Sequence, residues 1–250
     1  MNKILIFAFI SFFFIPFAFP QNGDHVRGGR FSKLIEYNLL WLENGYNLNS
    51  KGDFEKLVFG GFNAPIEFFF SPSSEYVPEV PSGFRIIKDT LKKVYILEIK
   101  RIPNFREALK EAYSNYPLRG VSSVVSIPKD TLGEIVAQNR ENIKNASEAV
   151  LKLYTVDSRS FPISNQFAEK LYEKMVSLIN NFKARGVPPH FVDGYSVSFR
   201  TVVDDEVWSL KIHIPKGKAL KMSDFCRQII KDAYDNKLDE ASYIKTLEDF

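Results

Sequence analysis

Four residues of this chain are natural candidates for chemistry: three histidines and one cysteine. His25 follows the apolar start of the chain and belongs to a frayed terminus. His190 and Asp193 are three apart and could share a metal, but they follow Pro188-Pro189 in a loop, and two ligands without a third make no metal centre. His213 falls opposite Ser196 if residues 195–214 fold as a hairpin, a pairing of hydroxyl and imidazole that superficially suits nucleophile and base. Acyl transfer also needs water-excluding walls and oxyanion donors. A flat, solvated sheet face has neither, so His213 is expected at the surface. Cys226 lies within the stripe Met222, Phe225, Cys226, Ile229, Ile230 and Ala233, which follows one helix face. A thiol in apolar surroundings is inert, so it reads as a core residue.

No nucleophile elbow, zinc-protease helix, P-loop or dinucleotide fingerprint occurs. The expected catalytic, cofactor and metal assignments are therefore none. Arg85 with Glu98, and Arg200 with Lys211, fall on outward strand faces. They read as ion pairs or exposed rows, or, more sharply, as a shallow polar binding surface. Asn145-Ala146-Ser147 fits the glycosylation sequon but falls in a predicted helix.

The elements that must position these residues follow from periodicity. Residues 195–214 alternate with period two on both sides of Asp204-Asp205. This predicts a hairpin with Phe199 facing Leu210 and Val197 facing Ile212. Trp208 then shares the apolar face, while Ser209, Lys211 and His213 share the other. Further strands are predicted at 65–71, 84–87, 94–102, 121–127 and 151–156. Helices are predicted at 31–43, from Asn104 with Glu107 in capping-box spacing, from about Thr131 with Glu134 to Ala149, and from Ser164 to Arg185. The last carries Phe167, Leu171, Met175, Leu178 and Phe182 as its seam. Phe84-Arg85 onward can be laid over Phe199-Arg200 onward, which suggests two related ββα units. The expected fold is α+β, a largely antiparallel sheet with helices packed mainly on one face.

The chain opens with Lys3 and an apolar run from Ile4 to Phe19 holding seven phenylalanines, then turns polar at Gln21. That is the layout of a signal peptide. The run is shorter than the about 20 residues a spanning helix needs, and Pro16 interrupts it. Residues 1–20 are expected to be removed, with the mature start between Phe19 and Asn22. No cysteine follows to carry a lipid. Residues 21–250 then form a single domain or two intimately packed halves, about 24–127 and 128–250. One cysteine allows no internal disulfide, so stability must come from the core, for which 45% apolar residues suffice. A net charge of +3 is too small for a nucleic-acid binder, and Lys211, Lys216, Lys218 and Lys221 read as a solvated face.

The phenylalanine-rich leader, Ser160-Phe161-Pro162-Ile163-Ser164, the stretch from Asp193 to Arg200, and Trp208-Ser209-Leu210 resemble uncharacterised secreted proteins of gut Bacteroidetes. The resemblance implies export and no particular activity. The expectation is an exported, periplasmic or extracellular, non-catalytic binding protein for a protein or glycan partner, with no nucleic acid, no cofactor and no membrane after cleavage. The alternative is a hydrolase using carboxylates such as Glu98 and Asp193.

Overall fold

A computed structural model of the chain describes residues 30–33, 55, 57–59, 64–72, 77–89, 94–120, 129–183, 194–204 and 206–250. Its strands are β1 (Arg30–Lys33), β2 (Ile66–Pro72), β3 (Ser82–Asp89), β4 (Val94–Arg101), β5 (Asp157–Ile163), β6 (Tyr195–Val203) and β7 (Glu206–His213). They form one sheet in the order β1-β7-β6-β2-β3-β4-β5, antiparallel throughout except for β1, which runs parallel to β7. The helices are α1 (Phe105–Asn115), α2 (Lys129–Leu153), α3 (Asn165–Asn181), α4 (Gly217–Tyr234) and α5 (Glu240–Glu248). This is the α+β fold expected. Strands from both sides of residue 127 interleave in the sheet, because β6 pairs with β2.

The 195–214 hairpin has the predicted register, with Phe199 opposite Leu210, Val197 opposite Ile212 and Ser196 opposite His213. The pairing of Val203 with Glu206 leaves Asp204-Asp205 as the turn. Asp204 has φ +46°, the left-handed conformation that a tight hairpin turn requires and aspartate tolerates. β2 is buried on both faces, as its Phe68-Phe69-Phe70 run predicts.

The main core lies between one sheet face and α3, α4 and α5. Phe68, Phe84 and Phe199 come from the sheet, Phe167, Leu171 and Met175 from α3, and Cys226 and Ile229 from α4. Ser164 caps α3 by accepting from the Phe167 amide at 3.2 Å, which satisfies one orphan donor of its first turn. Glu240 of α5 in turn accepts from the Ser164 amide at 2.9 Å. A second core joins Phe69, from the opposite sheet face, to Val58, Phe59, Ile102, Phe105 and Ala146. There α1 and α2 pack. Gly83 allows Phe59 and Phe69 to close in, because a Cβ there would lie 2.6 Å from the Phe68 carbonyl and 3.0 Å from the Phe59 ring.

Several expectations are corrected. Residues 31–33, read as a helix start, are strand β1, because backbone pairing with the edge of β7 overrides the local pattern. Residues 151–153 end α2, which runs four residues beyond Ala149, and the strand that follows is β5. Asn104 precedes α1 but makes no side-chain cap. Its amide group donates to the Leu153 carbonyl at 2.8 Å and accepts from the Thr155 amide at 2.9 Å, tying the end of α2 to α1. α3 stops at Asn181, short of Arg185. The ββα match also fails in detail. A twofold along β2 exchanges the β3–β4 and β6–β7 hairpins and also exchanges the sheet faces. It carries α1 to the side of α4, but it puts Arg85, not Phe84, on the face of Phe199. The expected strand at 121–127, together with His25, His190 and Asp193, lies outside the described residues.

A buried charge row and two candidate binding grooves

Strand alternation places the polar residues of the hairpins on the face opposite the main core. One row crosses the sheet at a single register: Ser209, Arg200, Glu67, Arg85, Glu98 and Ser160. Its charged members alternate in sign. They are largely buried where they were expected to be solvated, while Ser160 at the edge of the sheet is exposed. Glu67 is 2% exposed, and Arg200 and Lys211 are largely buried. The physical reason is the helical residues 55 and 57–59. Glu55 pairs with Arg200, accepts from the Ser198 hydroxyl at 2.9 Å, and lies 3.9 Å from the Lys211 ammonium. Phe59 inserts beside it, with Arg85 and Lys100 over its ring at 5.5 and 5.7 Å.

Burial pushes the Arg200 guanidinium down to about 10, which leaves it charged at neutral pH. Burial, and secondarily the Arg200 charge, pushes the Lys211 ammonium down to about 8. Glu98, a candidate acid of the hydrolase alternative, pairs with Arg85 and lies 3.2 Å from Lys100.

His213 is 7% exposed, not at the surface, and its Nδ1 lies 3.1 Å from the Ser196 hydroxyl. Geometry thus joins hydroxyl and imidazole, but neither residue lines either of the grooves described next. Ser198 and Lys211 are likewise opposed across the strands, and the Ser198 hydroxyl is given to Glu55. No group of three or more His, Cys, Asp or Glu residues among those described could hold a metal. Cys226 is fully buried and burial raises its thiol far above the ordinary value, as the helix stripe implied.

The open concave surfaces lie on either side of α4. One, of about 540 Å³, runs between α4 and α5 and is lined by Lys221, Phe225, Tyr243, Thr246 and Phe250. The other, of about 490 Å³, lies between α4 and residues 78–80 and is lined by Phe70, Glu79, Arg101, Arg227, Lys231 and Tyr234. Asp224 and Gln228 form the ridge shared by both. Several of the acids here are engaged. Asp232 accepts from the Tyr243 hydroxyl and the Gln228 amide, each at 2.7 Å, and Asp224 from Arg227 at 3.0 Å. Tyr234 forms part of the wall of the second groove. Tyr234 is stacked between Arg101 at 3.6 Å and Arg159 at 4.6 Å, and its hydroxyl donates to the Asp157 carbonyl at 3.0 Å. Burial, and then the Asp157 charge, raises that phenol to about 12, so it stays a donor. The periodicity of α4 located its buried side. It gave no sign of the grooves, which depend on α5 and on the 77–81 loop. No protein family, curated protein or solved structure matches the chain.

Proposed function

We propose that the protein is an exported, non-catalytic binding protein whose contact surface is the pair of grooves flanking α4. The observation that carries this is the state of their polar groups. The grooves hold aromatic rings, arginines and acids, and Asp224, Asp232 and Glu79 each accept from a neighbouring donor. The layout of residues 1–20 supports export. Among the described residues no helix is long and apolar enough to cross a membrane. The partner is a protein or a glycan of the periplasm or the medium.

Amide-resonance titration of the chain lacking residues 1–20, with extracellular oligosaccharides and with peptides, tests the reading. Shifts clustered on residues 221–231 and 242–250 are expected. A serine-directed fluorophosphonate should leave Ser196 and Ser198 unlabelled. Turnover of any of these polymers, lost on Glu98→Gln or Asp193→Asn, would replace the binding reading with the hydrolase one.

A further inference from the structure

The groove between α4 and the 77–81 loop holds an arginine whose hydrogen-bonding fork is half used. Arg227 is clamped over the rings of Phe70 at 4.9 Å and Tyr195 at 5.1 Å. Its Nη1 donates to Asp224 at 3.0 Å and its Nη2 donates to Glu79. Nε, on the same edge of the guanidinium as Nη2, is enclosed and meets no acceptor among the described residues. A carboxylate seated on that edge would take both N–H groups in parallel, the geometry for which guanidinium is suited. Glu79 takes only one.

Glu79 is also a peripheral partner. Its side chain is 43% exposed, against 24% for Arg227. It sits at the apex of Pro78-Glu79-Val80-Pro81, a loop held at both ends. Arg106 donates to the Val77 carbonyl at 2.7 Å, and the Ile102 amide donates to the Pro81 carbonyl at 2.9 Å. Its carboxylate can therefore leave by side-chain rotation while the loop stays in place. Once it has turned out, the cations lining the groove, Arg101, Arg227 and Lys231, outnumber the remaining acids, Asp224 and Asp235.

We infer that this groove is a carboxylate-recognition site for an acidic peptide segment, with Arg227 as its anchor and Glu79 as a built-in occupant that a partner displaces. The inference rests on the binding reading above and names the partner's chemistry. A peptide is favoured over an acidic sugar because the occupant already seated is a glutamate side chain on a proline-flanked loop.

The test uses the chain from residue 21 onward, as wild type and as Glu79→Gln. The probes are a capped peptide with the sequence of residues 77–82, the same peptide with glutamine for glutamate, and tri-galacturonate. The Arg227 Nε–H resonance is followed by NMR and affinity by calorimetry. The acidic peptide should bind Glu79→Gln about tenfold more tightly than wild type, because the internal competitor is gone. It should move the Arg227 Nε–H resonance downfield, and the glutamine peptide should bind at least tenfold more weakly. Arg227→Lys, which keeps the charge and loses the fork, should abolish the preference. If that variant fails to fold, the Nε–H shift in wild type decides alone. Equal binding of the two peptides would overturn the carboxylate site and leave the groove reading standing. Tighter binding of tri-galacturonate would overturn the peptide assignment. Silence of every groove resonance toward all three probes would sink both.

Discussion

Glu55→Gln should be among the most damaging isosteric changes in the molecule. The substitution keeps the side chain's shape and removes one charge from a cluster that holds Glu55, Glu67, Arg200 and Lys211. With Glu55 ionised the two acids balance the two cations. Without it, Arg200 and Lys211 share Glu67, whose nearer oxygen lies 3.6 Å from Arg200. Breaking a buried ion pair from one side costs about 3–5 kcal/mol. These side chains keep 11–19% of their surface in water, which argues for the low end, about 3 kcal/mol. For a domain of this size that is a fall in Tm of roughly 6–12 °C. Calorimetry or a urea melt reads it directly. Adding Lys211→Met should restore the balance and recover part of the loss, so the double-mutant cycle should show a coupling of at least about 1 kcal/mol. A Glu55→Gln loss under about 0.5 kcal/mol, the range of ordinary surface changes, would refute the buried cluster.

Three further outcomes are expected. Lys211 has an ordinary value of 10.5 and is held at about 8 in the fold, so between those values the unfolded chain binds more protons, and stability should rise with pH from about 8 toward 10. Lys211→Met should flatten that rise in urea melts between about pH 7.5 and 10; above that window the half-buried Tyr234 and the buried Tyr243, whose phenols are raised, act in the opposite sense. Cys226 should react slowly with thiol reagents in the native state, and Cys226→Ser should cost about 1–3 kcal/mol for an ill-partnered hydroxyl in the core; rapid labelling would contradict its burial. Phe199→Ala should cost about 3–5 kcal/mol, and Trp208→Ala less, because Trp208 is only partly buried; His213→Ala should cost about 1–3 kcal/mol through its bond to Ser196, and a loss within 0.5 kcal/mol would return it to the surface.

Period-two and helical spacing carried much of the architecture. The β6–β7 register, the burial of β2 on both faces, the α4 stripe around Cys226 and the start of α3 at Ser164 were all legible, because each depends on residues within one element or its hairpin partner. What failed depends on distant chain. Residues 31–33 are strand because β7 offers an edge. Asn104 abandons its capping role because the end of α2 is nearby. β5 was hidden by Ser158, Ser160 and Pro162, the exposed side of an edge strand. Of the candidate site, the sequence showed that Arg200, Lys211 and His213 share a face. It could not show that the face is covered, because the covering carboxylate of Glu55 lies 143 residues from Ser198.

The buried row also completes something that hydrophobic alternation leaves open. A one-residue slip of β2 would turn Phe68 and Phe70 out of the core and Glu67 into it, so the apolar pattern forbids it. A two-residue slip keeps every side chain on its own face, and the apolar pattern is nearly blind to it. The charges are not. Glu67 now stands between Arg85 on β3 and Arg200 on β6. Moved by two, it would stand opposite Gly83 or Ile87 on one side and Ser198 or Val202 on the other, leaving both guanidiniums without their central acid. Arg85 keeps Glu98 and Arg200 keeps Glu55, but the buried Glu67 carboxylate would lose Arg200, and a buried charge taken from its partner costs about 3–5 kcal/mol. The alternating row therefore sets the even part of the register as the phenylalanines set the odd part. Glu67→Met, which keeps the volume and removes the charge, should let β2 shift by two, and hydrogen exchange of the Phe68 and Phe70 amides should show that loss of protection before global stability falls.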